Sequence, residues 1–349
     1  MFVSPDYSGT NPYQALLAGS LRDRGVDVEH IDTTGPFMPV RALLQRGVPD
    51  VVHFHWLHSL LLGRNRGFTL LKALVVFPQL LLLRLLGVRL VWTAHNITEH
   101  EPRHPTLERM LKHLFVRCSD AVIIHCSTVA DRVLDAYHLP PRFRERLHTV
   151  PHGHYCDAYE NDVSRERARE KLGLTTEFTF LFFGRVAAYK NVPGLIDAFA
   201  GIDDSDARLV VAGNPTTAAV RSRVERAAAG DDRVDTALEF VPDECIQYYM
   251  NAADVVVLPF QEILTSGSTI LAMSFGKPVV VPDAGCVPSV LPEDGGFTYR
   301  DTRPDSLRRA LLRAMDADLE TVGGANRAAA ERLDWGRIAE LTHGVYTTA

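Results

Sequence analysis

Phe182-Phe183-Gly184-Arg185 closes a short apolar run, and Tyr189-Lys190-Asn191 follows within a few residues. Glycine lets backbone approach a ligand closely. Arginine offers a planar fork to phosphate oxygens and lysine a mobile point charge, so the pair suits a diphosphate. A second loop, Ala212-Gly213-Asn214-Pro215, follows another apolar run and places Asn214 to line a nucleotide pocket. A third loop carries Glu262 and then Ser266-Gly267-Ser268 ahead of an apolar helix. Unpaired N–H groups at such a helix start bind phosphate, and the Glu262 carboxylate can hold sugar hydroxyls. Ser266 or Ser268 is equally suited to N-capping, and the two roles coexist.

The first part of the chain is rich in histidine: 13 of the 14 lie in residues 1–154. His53, His55 and His58 alternate along an apolar run and its exit, but period-two spacing puts only His53 and His55 on one face, which argues against a metal cluster. His95 ends the run Thr93-Ala94-His95-Asn96, and a loop with Glu99, His100 and Glu101 follows. Gly9 and Asn11, just ahead of Tyr13, follow the first apolar run. The five cysteines form no close-spaced metal-ligating pattern.

These residues need elements to position them. Short, continuously apolar runs at 51–55, 89–93, 121–125, 178–183, 208–212, 255–259 and 278–282 read as strands buried on both faces of parallel sheets. Helical patterns at 13–24, 106–118, 129–137, 192–200, 218–229 and 306–315 alternate with them. The fold class is therefore α/β, with two doubly wound Rossmann-like domains of parallel sheet facing a cleft, and ligands expected at the carboxyl ends of the strands. The boundary falls within Val150-Pro151-His152-Gly153-His154, dividing the chain into 1–152 and 153–330, with a closing helix at 331–349.

A length of 349 residues, 46% hydrophobic and 23% charged, is that of a globular protein with two domains. The net charge of -6 conceals an asymmetry: residues 1–150 hold 17 Lys+Arg against 13 Asp+Glu, the remainder 20 against 30. Residues 68–91 read FTLLKALVVFPQLLLLRLLGVRLV, interrupted by Lys72, Pro78, Gln79 and Arg84. That pattern suits a buried or interfacial helix better than a spanning one, with its basic neighbours turned to anionic headgroups. The opening Phe2-Val3-Ser4-Pro5 has no signal-peptide pattern, so a cytoplasmic protein is expected, peripheral at most on the inner face of the plasma membrane.

In combination, GRV…YKN, AGNP and LPF-x8-SGSTILAMSFGKPVVVPDAG resemble the donor domain of the GT-B glycosyltransferases of family 4, and Leu333-Asp334-Trp335-Gly336-Arg337-Ile338 is similar to their closing helix. Asn11-Pro12-Tyr13, His53-Phe54-His55-Trp56, Trp92–His95 with Asn96, His100-Glu101, Pro151–Tyr155 and Leu264–Ser268 resemble a subgroup named for 4-β-mannosyl transfer from GDP-mannose to a glycolipid. One departure matters. The family usually carries two glutamates eight positions apart, and here Ile263 and Leu271 stand at those positions, with Glu262 adjacent.

The resemblance implies an enzyme of the hexosyltransferase type, acting in polysaccharide or surface-glycan synthesis. It implies a nucleotide-sugar co-substrate, no cofactor and no required metal, a glycan or lipid-linked acceptor, and no nucleic-acid partner. Donor-binding residues would be Gly9, Gly184, Arg185, Lys190, Asn214, Glu262, Ser266, Gly267 and Ser268. Asn11, Tyr13, His55 and Asn96 would bind the acceptor. His95 would meet the donor sugar, and Glu101 or His100 would be the base if the transfer inverts; a retaining transfer needs none. Two rival readings share the architecture: a nucleotide-sugar epimerase and a non-catalytic binding protein.

Overall fold

The computed structural model describes residues 1–9, 11–32, 38–97, 104–175, 178–300 and 304–348. The chain divides into two compact units. Unit 1 comprises Met1–Gly153 together with Asp334–Ala349, and unit 2 is His154–Leu333.

Unit 1 is built on strands β1 (Phe2–Ser4), β2 (Glu29–His30), β3 (Val51–Phe54), β4 (Arg89–Thr93), β5 (Ala121–Ile124) and β6 (Leu147–Thr149). All pair in parallel, in the order β2-β1-β3-β4-β5-β6. The central strands are buried throughout apart from Arg89 at the start of β4, as continuously apolar runs require. The helix Pro12–Arg22 starts where Asn11 Oδ1 accepts from Tyr13 N–H, with proline in its first turn. Trp335, Ile338, Ala339, Val345 and Tyr346 of the helix Trp335–Thr347 share a core with Val3, Leu17, Leu21, Val91 and Ile123, so this late segment completes the first unit. Gly153 serves the same packing: a Cβ there would stand 2.3 Å from the Trp335 ring. The space for that indole is what requires glycine.

Unit 2 holds β7 (Phe178–Phe183), β8 (Ala207–Ala212), β9 (Val234–Ala237), β10 (Val255–Val257), β11 (Val279–Pro282) and β12 (Gly296–Tyr299). The sheet is parallel throughout, in the order β12-β11-β10-β7-β8-β9. Counted from β7, this is the 3-2-1-4-5-6 arrangement of dinucleotide-binding domains, read from the opposite edge, and its order reverses between β7 and β10. Phe180, Phe182, Leu195, Phe199, Leu209 and Val257 centre its core.

Candidate active site

The loops singled out in the sequence leave the carboxyl ends of β7, β8 and β10, on either side of the point where the strand order of unit 2 reverses. Gly184 has φ +116°, and a Cβ on it would lie 3.4 Å from Lys190 Nζ and 3.5 Å from Ser268 Oγ. Gly184, Lys190 and Ser268 are thus brought together. Gly213 has φ +144°, and a Cβ there would fall 2.0 Å from the Gly184 carbonyl oxygen. The β7 and β8 loops are pinned to one another by Gly184 N–H to Ala212 O (3.0 Å), Val186 N–H to Asn214 O (2.9 Å) and Thr216 N–H to Val186 O (2.9 Å).

Lys190 is the electrostatic centre of this group. It is 6% exposed, and among the described residues it has no acidic partner. Its Nζ lies 5.3 Å from the Phe260 ring centroid and 5.8 Å from that of Phe182. Burial, and secondarily the neighbouring Arg185 charge, push its pKa down to about 8. A buried cation beside an exposed one, with no carboxylate among the described residues to balance them, is an incomplete ion pair that an anion completes. Ser266 caps the helix Gly267–Ser274 by accepting from Thr269 N–H, which leaves the first-turn N–H groups of Gly267 and Ser268 without intrahelical partners. Glu262 and Asn214 are exposed on the same loops, and Leu271 is buried in the helix.

In unit 1 the order of strands reverses between β1 and β3, and the loops after those strands meet there. Tyr7 Oη lies 3.1 Å from His58 Nε2, and the Tyr7 ring packs edge-on to Trp56. Gln14 is buried and ties the β1 loop down, accepting from Tyr7 N–H and donating to the Pro5 carbonyl. Gly9 is exposed, with open space where a Cβ would stand. Asn11 and Asn96 are half-buried.

Behind this surface lies a cluster that no single motif announced. Tyr13, 2% exposed, is enclosed by the rings of His55, His95, His125, His152 and Trp335 at centroid distances of 4.7–5.9 Å. His55, 1% exposed, places Nδ1 3.0 Å from His95 Nε2, and His95 Nδ1 is 3.4 Å from His125 Nε2. His125 Nδ1 stands 3.0 Å from the Val150 carbonyl. His53 bonds Tyr346 Oη and Thr93 Oγ1 at 2.8 and 2.7 Å. Burial holds all five imidazoles neutral, pushing His53 and His152 down to about 3, His125 to about 4 and His55 and His95 well below their ordinary value. His95 is the half-buried member, its ring stacked on Trp56 at 4.5 Å.

The expected acceptor residues Tyr13 and His55 therefore lie in the interior of unit 1, while Asn11 spends its side-chain oxygen on a helix cap. His100 and Glu101 lie outside the described residues. Among the described residues no group of three or more His, Cys, Asp or Glu is disposed to hold a metal ion.

Residues 2–157 match the family described as Glycosyltransferase Family 4, and residues 177–317 match Glycosyl transferases group 1. The chain is 30% identical, over 98% of its length and 89% of the relative's, to a GDP-mannose:glycolipid 4-beta-D-mannosyltransferase of Xanthomonas campestris. It is 28% identical, over 75% of its length and 62% of the relative's, to a D-inositol 3-phosphate glycosyltransferase of Streptomyces griseus. Among solved structures, sucrose-phosphate synthase from Thermosynechococcus elongatus superposes with a TM-score of 0.78 at 18% identity, covering 99% of this chain and 97% of that one. HepE of Anabaena in complex with UDP-glucose superposes at 0.73 and 18% identity, covering 99% of each. These two are likenesses of fold.

Proposed function

The chain belongs to glycosyltransferase family 4, with the GT-B fold, and from that premise we propose that it transfers mannose from GDP-mannose to a glycan or lipid-linked acceptor in surface-glycan synthesis. The observation that carries the donor side is the unbalanced cation pair Arg185 and Lys190, set beside Ser268 at the strand-order reversal of unit 2. As the sugar–phosphate bond breaks, negative charge grows on the leaving nucleoside diphosphate. In this reading Arg185, Lys190 and the N–H groups of Gly267 and Ser268, which lack intrahelical partners, face that charge, and preorganised donors of this kind contribute about 3–4 kcal/mol each to lowering a barrier. This reading assigns the countercharge to the protein's own residues, with no resident cofactor. The name of the Xanthomonas relative supports mannose and a glycolipid.

The acceptor side of the proposal rests on the helix Arg66–Leu85. Its most apolar 18-residue window has a mean hydropathy of 1.8, and the helix is long and apolar enough to cross a membrane by length and composition. It nonetheless buries Ala73, Val76, Leu80 and Leu83, a stripe at helical spacing, against the rest of unit 1. The opposite face is open: Leu74 and Leu85 are 74% and 76% exposed, and Leu70, Leu71 and Leu81 of the same helix are exposed as well. A helix packed on one side and bare on the other suits a membrane surface, where a lipid-linked acceptor would be presented.

A thermal-shift screen with GDP, UDP, GDP-mannose, UDP-glucose and UDP-glucuronate tests the donor. A ligand at a hundred times its Kd stabilises by about 2.7 kcal/mol. Stabilisation by GDP and GDP-mannose alone is the expected outcome, and a response confined to the uridine compounds overturns the choice of donor.

A further inference from the structure

His55, His95 and His125 stand at the carboxyl ends of the adjacent parallel strands β3, β4 and β5, and Val150 directly follows β6. The hydrogen bonds described above therefore run across four neighbouring strand ends, along the edge at which doubly wound sheets bind ligands. A carbonyl oxygen only accepts, so the Val150 carbonyl requires a proton on His125 Nδ1. A neutral imidazole carries one proton, so His125 Nε2 is bare and accepts from His95 Nδ1. His95 Nε2 is then bare in turn and accepts from His55 Nδ1. The series ends at His55 Nε2, a buried bare nitrogen with no hydrogen-bond partner among the described residues.

We propose that His125 is a positioning residue for the transfer reaction: anchored on the Val150 carbonyl, it dictates the tautomers of His95 and His55 and locks the His95 ring against Trp56 at the mouth of the unit 1 sheet. This rests on the reading that His95 stands beside the donor sugar. Both His95 nitrogens are committed to other imidazoles, so a sugar meets it as a fixed neutral ring rather than as a swinging donor or a cation. Neutrality is required for this one-way order, and the low pKa of each member supplies it across the physiological range. All three rings are held in the Nδ1–H form, the less populated tautomer of free histidine, which gives the arrangement a spectroscopic signature.

The experiment uses the full chain. Long-range 1H–15N spectra of the histidine side chains at pH 7, without substrate, are expected to show His55, His95 and His125 all protonated at Nδ1. His125→Leu removes the acceptor for His95, so the His95 Nδ1–H form is lost, and kcat falls between about 10- and 100-fold with KM for the donor little changed. His125→Gln sets an amide oxygen near the former Nε2, restoring the His95 tautomer and most of kcat. A wild-type His95 protonated at Nε2 overturns the proposal. So does an unchanged kcat in a folded His125→Leu, or a His125→Gln variant that regains the tautomer while staying as slow as His125→Leu. Should His125→Leu fail to fold, the wild-type spectra and the glutamine variant decide alone. The spectra need no donor, so a wrong choice of nucleotide sugar leaves this test standing.

Discussion

Lys190 is buried beside Arg185 without a carboxylate among the described residues, and its pKa near 8 gives donor binding a pH signature. A diphosphate favours the charged lysine. Below pH 8 that form is already present; above it, binding must take up a proton, so affinity for GDP is expected to fall by up to about tenfold per pH unit. Isothermal titration from pH 7 to 9.5 checks this, and Lys190→Met should bind weakly with a flat profile over that range. Arg185→Ala and Lys190→Ala are each expected to lower turnover by about a hundredfold or more while leaving the melting temperature near that of the parent; near-normal rates in both would remove the donor assignment. That Gly184, Lys190 and Ser268 come together was legible in the chain, because each follows a run that is plainly a strand. The burial of Lys190 was not, since it depends on Phe182 of β7 and Phe260 of the loop after β10, which are far apart in the chain. The imidazole series escaped for the same reason. His55, His95 and His125 each sit just past a strand, but only the lateral order of the strands makes them neighbours.

Among the elements, the β7 and β8 loops are held at a distance that requires glycine at position 213. Gly213→Ala would press a methyl group into the Gly184 carbonyl and strain a backbone at φ +144°. The expected cost is about 3 kcal/mol of stability, together with loss of GDP binding, read by thermal unfolding and titration. Gly9 offers the contrast. Its Cβ position is open, so Gly9→Ala should keep its melting temperature, and any fall in donor affinity then reports a ligand's close approach. The central strands stood out in the sequence as unbroken apolar runs. β2, β6, β9 and β12 did not, being the outermost strands of their sheets, short, and mostly half-exposed, so their residues carry no such run. The long apolar segment was ambiguous for a different reason. Its hydrophobicity extends all round the helix, and only the packing shows which face is left bare.

For the molecule as a whole, residues 1–150 carry an excess of Lys+Arg, 17 against 13, and also the exposed apolar helix Arg66–Leu85. Basic charge and bare leucines in one unit should draw the protein to anionic vesicles. Flotation with phosphatidylglycerol liposomes is expected to carry the wild type upward, and Leu74→Glu with Leu85→Glu to leave most of it behind; equal recovery of both would argue for a soluble acceptor. The passage of the chain out of unit 1 at Gly153 and back at Asp334 has a consequence during synthesis. Trp335, Ile338 and Tyr346 emerge from the ribosome only after all of unit 2 has been made. The half that is translated first must therefore wait, its core unclosed, while the half translated second has every residue it needs to finish folding ahead of it.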